Sequence, residues 1–180
     1  LPVNVDAENG YGHEPEEVAA CIRRLAETGA AGAGIEDWSG DPNRGFYDRE
    51  QAIARIEEAV EAADALDHPF TVTGRTESLL YEHPGGVDDT LRRLQGFAAV
   101  GAHCLYAPGS GDMTTVRPVV LEAGGPVNVL ALVGAEHPTM DELTEAGVRR
   151  VSLGSSLFHA QVAQAASLVA TILETGRFTP

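Results

Sequence analysis

The 180 residues suffice for one domain, and 43% of them are hydrophobic, enough to bury a sizeable core. Acidic residues outnumber basic ones 27 to 12, and the net charge of −15 argues against nucleic acid and anionic membrane as partners, since both need a basic face. No uninterrupted apolar run of about 18 residues occurs, so no membrane-spanning helix is expected, and the first residues lack the basic start and apolar stretch of a signal peptide.

In chain order, a short apolar run (2–6) ends on Asp6 and is followed by an amphipathic stretch (16–28) with Val18, Ile22 and Leu25 at helical spacing. A second run (32–36) ends on Glu36, and a long amphipathic stretch (48–66) follows, with Asp48 as N-cap and Ile53, Ile56 and Val60 on one face. The third run (70–75) ends on Arg75 and precedes a helix over 87–100. Runs at 103–106, 127–130 and 150–153 alternate with helices at 114–123, 140–146 and 155–175. Gly29, Gly101, Gly124, Gly147 and Gly176 fall where helix C-caps are wanted, and Thr139 with Glu142 has capping-box spacing. Runs of four to six residues are the length of strands buried on both faces.

Strands alternating with helices predict parallel βαβ units in a single domain over 1–180. A doubly wound sheet concentrates its site at one switch point and favours a glycine-rich first turn; residues 6–12 carry two glycines among acids and amides instead. Polar and charged residues at the ends of successive strands fit the mouth of a (β/α)8 TIM barrel better. Six units are visible and the first already ends in a site residue. Two βα units are therefore expected to be missing at the N-terminus, about 60–70 residues at roughly 30 per unit.

Asp6 and Glu8 stand two apart and would point the same way on an extended strand. Glu36 ends the adjacent strand. Three carboxylates on neighbouring strand ends suit Mg²⁺ or Mn²⁺ rather than zinc, with one direct ligand and the others reaching through water. Solvated loop acids are the competing reading for each residue taken singly. Arg75, at the end of an apolar strand, requires an anion, either Glu77 or Glu36 in an internal pair or a substrate carboxylate held bidentately. Asn128, an amide inside an apolar strand, either ties the barrel floor together or donates to substrate. Trp38 walls the mouth or packs. The turn at Gly109-Ser110-Gly111-Asp112 offers backbone N–H groups to an anion only weakly. The six histidines show no metal-binding spacing, and Cys21 and Cys104 read as reduced, packed thiols of a cytoplasmic protein.

Val5-Asp6-Ala7-Glu8-Asn9-Gly10-Tyr11-Gly12, Gly32-Ala33-Gly34-Ile35-Glu36-Asp37, Gly74-Arg75-Thr76-Glu77, Pro126-Val127-Asn128-Val129 and the segment from Gly147 to Gly154 together resemble the isocitrate lyase / phosphoenolpyruvate mutase superfamily, in order and spacing across essentially the whole chain. The resemblance implies a (β/α)8 barrel, Mg²⁺ or Mn²⁺, and a small 2-oxo or 2-hydroxy carboxylate whose C–C or P–C bond is made, broken or moved next to a pyruvate-type enolate. It implies Asp6 as metal ligand, Glu8 (where the family more often has Asp) and Glu36 on metal-bound water, and Arg75 on the substrate carboxylate. It also implies a homodimer or homotetramer in which the last helix packs on a neighbouring subunit. The lyases of this superfamily carry a Lys-Lys-Cys-Gly-His loop after the strand holding Glu36; residues 38–48 here contain neither Lys nor Cys, which argues against isocitrate and methylisocitrate cleavage. A C–C hydrolase of the same superfamily and a non-catalytic member that keeps the fold are the alternatives.

Overall fold

The computed structural model describes residues 1–134 and 137–178. Six strands, β1 (Asn4–Asp6), β2 (Gly32–Glu36), β3 (Thr71–Arg75), β4 (Cys104–Tyr106), β5 (Val127–Leu130) and β6 (Arg150–Ser152), alternate with α1 (Pro15–Glu27), α2 (Arg49–Asp64), α3 (Gly86–Ala99), α4 (Met113–Glu122), α5 (Met140–Ala146) and α6 (Ser156–Thr175). Every strand lies parallel to the next, and the order across the sheet is the order along the chain. A doubly wound sheet would reverse direction from its first strand and shuffle that order. Here the winding is single, the helices α1 to α5 pack in sequence on one face, and the sheet curls into a half-barrel.

The two faces of the sheet differ. Val5, Ala33, Ile35, Val72, Leu105, Val127, Val129 and Val151 face the helices and join Val18, Ile22, Ile56, Val60, Leu94, Phe97, Val116 and Leu143 in one core. Residues of the opposite parity face the concave side and are largely polar: Asp6, Thr73, Arg75, Tyr106, Asn128, Arg150 and Ser152. The strands are therefore apolar on one face only, where burial on both was expected. The apolar appearance of the short runs comes from the helix-facing residues. Gly74 belongs to the helix-facing set: a Cβ there would stand 3.0 Å from Cβ of Phe97, so α3 can approach β3 only over a glycine.

Local signals placed the elements. Asp48 accepts from the backbone N–H of Gln51, and Thr139 with Glu142 closes a full capping box. Gly29, Gly101, Gly124, Gly147 and Gly176 all take positive φ after their helices. The turn at Gly109–Asp112 is committed to capping, because the Asp112 carboxylate accepts from the N–H groups of Thr114 and Thr115.

Helix α6 departs from the expectation that no segment is long and apolar enough to span a membrane. Of its residues only Ser156 is buried, and Leu157, Phe158, Val162, Leu168, Val169 and Leu173 are exposed. It has no Asp, Glu, Lys or Arg before Glu174. By length and composition it is long and apolar enough to cross a membrane, at a mean hydropathy of 1.3. The run is not uninterrupted in sequence, because Gln161, Gln164, Ser167 and Thr171 break it without adding charge.

Candidate active site

Strand β1 ends at Asp6, and the chain then turns. Ala7 is fully buried, its carbonyl accepts from the N–H of Gly10 at 2.7 Å, and Glu8 takes a left-handed φ of 48°. Glu8 is thus off the strand, and the parity argument that aimed it alongside Asp6 does not hold. It reaches the same place by another route: its backbone carbonyl accepts from the N–H of Glu36 at 2.8 Å, and Asp6, Glu8, Glu36, Arg75 and Glu77 border one pocket together with Trp38, Leu80 and Tyr81.

Arg75 sits at the centre of these acids. Its Nε donates to Glu77 and lies 3.5 Å from Glu36, while Nη1 donates to Asp6 at 3.1 Å. Its guanidinium also lies over the ring of Tyr106, 5.2 Å from the centroid. The internal pair expected of Arg75 is present. It makes the internal pair, chiefly with Glu77, a partner only 1% exposed, and it still borders the large cavity on the concave face. Burial works against its charge, but Glu77, Glu36 and Asp6 more than compensate and raise its pKa above the ordinary guanidinium value.

Glu36 carries the opposite perturbation. Burial, then the negative charges of Glu77, Asp6 and Glu8, push its pKa up to about 7 against the pull of Arg75. Burial likewise raises Glu77, with Arg75 opposing. One guanidinium thus pairs with three carboxylates, Asp6, Glu36 and Glu77, and a fourth, Glu8, borders the same pocket. Among the described residues no three His, Cys, Asp or Glu side chains stand close enough to hold a metal ion by themselves. The donor set nevertheless fits Mg²⁺ or Mn²⁺. These are hard oxygen-seeking cations that keep several waters and bind through one or two carboxylates; Asp6, with a side chain 67% exposed, is open to direct contact.

Trp38 forms part of an aromatic wall. It stacks on Tyr81 at 4.7 Å and meets Phe46 edge-on at 5.0 Å, while Phe46 meets His83 edge-on at 5.0 Å. An antiparallel bridge between Trp38 and Phe46 closes the β2–α2 loop on itself. The segment where the lyases carry their cysteine is thus a thiol-free aromatic cover. Asn128 is 2% exposed. Its amide nitrogen donates to Ser152 Oγ at 3.0 Å and its oxygen accepts from Arg150 Nε at 3.1 Å. Of the two roles left open for Asn128, tying the strands together is the one the contacts show.

Two supports were not visible from motifs. Asp37, fully buried, accepts from Arg93 Nη1 at 3.1 Å and from the N–H of Glu77 at 2.9 Å, so it fixes the strand end that carries Glu77. Arg55, 1% exposed, donates to the carbonyls of Asn9, Gly12 and His13 and lies over the Tyr47 ring at 4.0 Å, holding the β1–α1 loop down. A charged residue recurring in the apolar stripe of a predicted helix was the available signal for Arg55 and Arg93. Arg150 and Tyr106 also line the cavity; strand parity points to them once the register is known.

With this geometry in hand, the relatives become informative. The family model for phosphoenolpyruvate phosphomutase matches residues 1–173. The chain is 30% identical over 168 residues to 2-methylisocitrate lyase of Escherichia coli (strain K12), covering 89% of this chain and 55% of that protein. It is 29% identical to an oxaloacetate decarboxylase of Rhodopseudomonas palustris (strain BisB5), covering 98% of this chain and 59% of that protein. Among solved structures, a Burkholderia cenocepacia J2315 protein named only at the level of lyase/mutase superposes with a TM-score of 0.92 at 40% identity, covering 99% of this chain and 64% of the other. The phosphoenolpyruvate phosphomutase of Streptomyces platensis subsp. rosaceus superposes with a TM-score of 0.82 at 28% identity, covering 99% and 63%. The chain spans a little over half the length of the curated relatives it matches. The half-barrel, the acidic strand ends around Arg75 and a family match over nearly every residue agree: the chain belongs to the phosphoenolpyruvate phosphomutase family, within the isocitrate lyase / phosphoenolpyruvate mutase superfamily.

Proposed function

We propose that this chain forms most of a Mg²⁺- or Mn²⁺-dependent lyase or mutase-type enzyme that acts on a small 2-oxo or 2-hydroxy carboxylate. The observation that carries this reading is the convergence of Asp6, Glu36 and Glu77 on a single guanidinium, with Glu8 in the same pocket, beside an open cavity of about 600 Å³. A rim with that much uncompensated charge suits a divalent cation, held directly by Asp6 and through water by Glu8 and Glu36. The cation, when bound, supplies Lewis-acid polarisation of the 2-oxo group. The chain's own residues do the rest. Arg75, kept charged by Glu77, presents its guanidinium to the substrate carboxylate. Glu36, at a pKa of about 7 before a cation binds, would give up its proton as the cation arrives and then serve as a carboxylate. Trp38 and Tyr81 wall one side of the pocket, with Phe46 packed edge-on against Trp38.

The named activities of the relatives, 2-methylisocitrate lyase, oxaloacetate decarboxylase and phosphoenolpyruvate phosphomutase, share this substrate class. The thiol-free loop over 38–48 favours the decarboxylase, hydrolase or mutase branch over methylisocitrate cleavage. In the same reading the six units are part of an eight-stranded barrel, the exposed apolar face of α6 is covered by a second subunit in a cytoplasmic homodimer or homotetramer, and neither nucleic acid nor membrane is a partner. Incubation with Mg²⁺ and a panel of 2-oxo and malate-type acids, followed by assay of pyruvate release, tests the activity. Turnover that requires Mg²⁺ and falls at least 100-fold in Asp6→Asn is expected. Metal-independent turnover removes the cation from the chemistry, and no turnover on any acid favours a non-catalytic member.

A further inference from the structure

Glu36, Arg75, Tyr106, Asn128 and Arg150 occupy one register row across five strands. The two arginines in that row are in opposite circumstances. Arg75 faces three carboxylates. Arg150 borders the same cavity and, among the described residues, forms no ion pair. Its partners are neutral: Nε donates to Asn128 Oδ1 at 3.1 Å, and Nη2 donates to Thr73 Oγ1 at 2.9 Å. Asn128 is fixed in turn by its bond to Ser152. These contacts orient the guanidinium without neutralising it.

A half-buried guanidinium with only neutral partners loses hydration and gains no counter-charge. Its place in the row decides what could supply that charge. Three strand spacings, about 14 Å along the sheet, separate Arg150 from Arg75, and both side chains border one cavity on the concave face. The cavity is therefore bipolar, with an acidic end at β1–β3 and a cationic end at β6. A simple monoacid bound at the acidic end would leave Arg150 unanswered.

We propose that Arg150, held in place by Asn128 and Thr73, binds a second acid group of the substrate, a carboxylate or phosphonate distal to the 2-oxo or 2-hydroxy acid end, so that the substrates are short dianions. The inference rests on the reading of the acid rim as the site of the 2-oxo or 2-hydroxy acid end. A planar fork with a free edge suits either terminal group.

Calorimetric titration in Mg²⁺ of L-malate and L-lactate, which differ only in the distal carboxylate, tests it. Malate is expected to bind about tenfold or more tightly than lactate. Arg150→Gln should reduce that preference to about twofold or less and leave lactate affinity unchanged, whereas Arg150→Lys keeps part of it. Asn128→Asp, which places a carboxylate against Arg150 Nε with little change of shape, should abolish the preference as Arg150→Gln does, and it serves if that variant fails to fold. Comparison of oxaloacetate with phosphonopyruvate, which share the 2-oxo acid end, identifies the terminal acid. Equal binding of malate and lactate, or a preference that survives both Arg150→Gln and Asn128→Asp, overturns the proposal. Failure of both acids to bind overturns it together with the underlying reading. A preference that depends on Arg150 in a protein with no Mg²⁺-dependent turnover sustains the anion site and removes the lyase/mutase reading alone.

Discussion

Asp37 and Arg93 form an ion pair at 3.1 Å whose side chains are 0% and 5% exposed, directly behind the acid rim. Asp37 lies beside Glu36 in sequence but on the other side of the strand end, so one points to the pocket and the other to α3. Arg93 also donates to Asp89 at 2.6 Å and to the carbonyl of Tyr47 at 3.1 Å, which joins β2, α3 and the β2–α2 loop at one point.

Breaking a buried pair by removing one partner leaves the other charge stranded, which typically costs about 3–5 kcal/mol. Arg93→Met is expected to destabilise the fold by that amount in urea unfolding. The loss should be smaller in Arg93→Met/Asp37→Asn, because the stranded carboxylate is gone. A single-variant loss under about 1 kcal/mol would show that the pair is not the anchor its burial implies.

Much of this was legible from local signals. The strands at 32–36 and 127–130 and the helix at 140–146 match to the residue, because hydrophobic runs, caps and C-terminal glycines are properties of neighbours in sequence. β1 starts at Asn4 rather than at Pro2, whose missing N–H cannot join a ladder. The clustering of Asp6, Glu36 and Arg75 also followed from consecutive strand ends. Arg150 and Tyr106 did not, because they enter the cavity only through inter-strand register, which no local pattern encodes. Glu8 was misplaced because nothing at Ala7 signals that the strand stops there. The exposure of α6 was not legible from its periodicity, which says which face is apolar but not whether anything covers it; only the resemblance, with its last helix on a neighbouring subunit, pointed to it.

The raised Glu36 predicts a linkage between pH and cation binding. Its folded pKa of about 7 lies above the ordinary value of 4.5, so the folded state holds this proton more tightly than the unfolded chain does. Its contribution to stability is complete below about pH 4.5 and is lost as pH rises through 7. The charges that face it are Glu77, Asp6 and Glu8 on the unfavourable side and Arg75 on the favourable one. A divalent cation needs the carboxylate form and competes with the proton. Mg²⁺ should therefore raise the melting temperature more at pH 8 than at pH 5.5, and Glu36→Gln should flatten the difference. Thermal melts with and without Mg²⁺ at the two pH values provide the test, and an equal Mg²⁺ increment at both would contradict the assignment.

Arg55 predicts a local effect on the β1–α1 loop. Its guanidinium donates to three backbone carbonyls at Asn9, Gly12 and His13, and hydrogen bonds from charged donors contribute about 1.5–3 kcal/mol each. Arg55→Met keeps the packing volume and removes the donors. Destabilisation of at least about 2 kcal/mol is expected, with amide protection lost first over residues 7–13. Hydrogen exchange would detect it, and unchanged protection in that loop would exclude Arg55 as its clamp.

Two strand glycines separate the roles of the two faces. Gly34 lies on the concave side with nothing within 4 Å of a built Cβ, whereas a Cβ on Gly74 would press on Phe97 at 3.0 Å. Gly74→Ala forces β3 and α3 apart, and overpacking of this kind costs about 1–3 kcal/mol. Gly34→Ala meets no obstacle and replaces a poor strand former, so stability should hold or rise by a few tenths of a kcal/mol. Its methyl group, however, projects into the cavity between Asp6 and Thr73, and should weaken binding of a small acid while the fold stays intact. Paired measurements of unfolding free energy and ligand affinity should therefore respond oppositely in the two variants. If Gly74→Ala is neutral, or Gly34→Ala unfolds the protein, the assignment of an apolar helix-facing surface and a polar ligand-facing surface to this sheet is wrong.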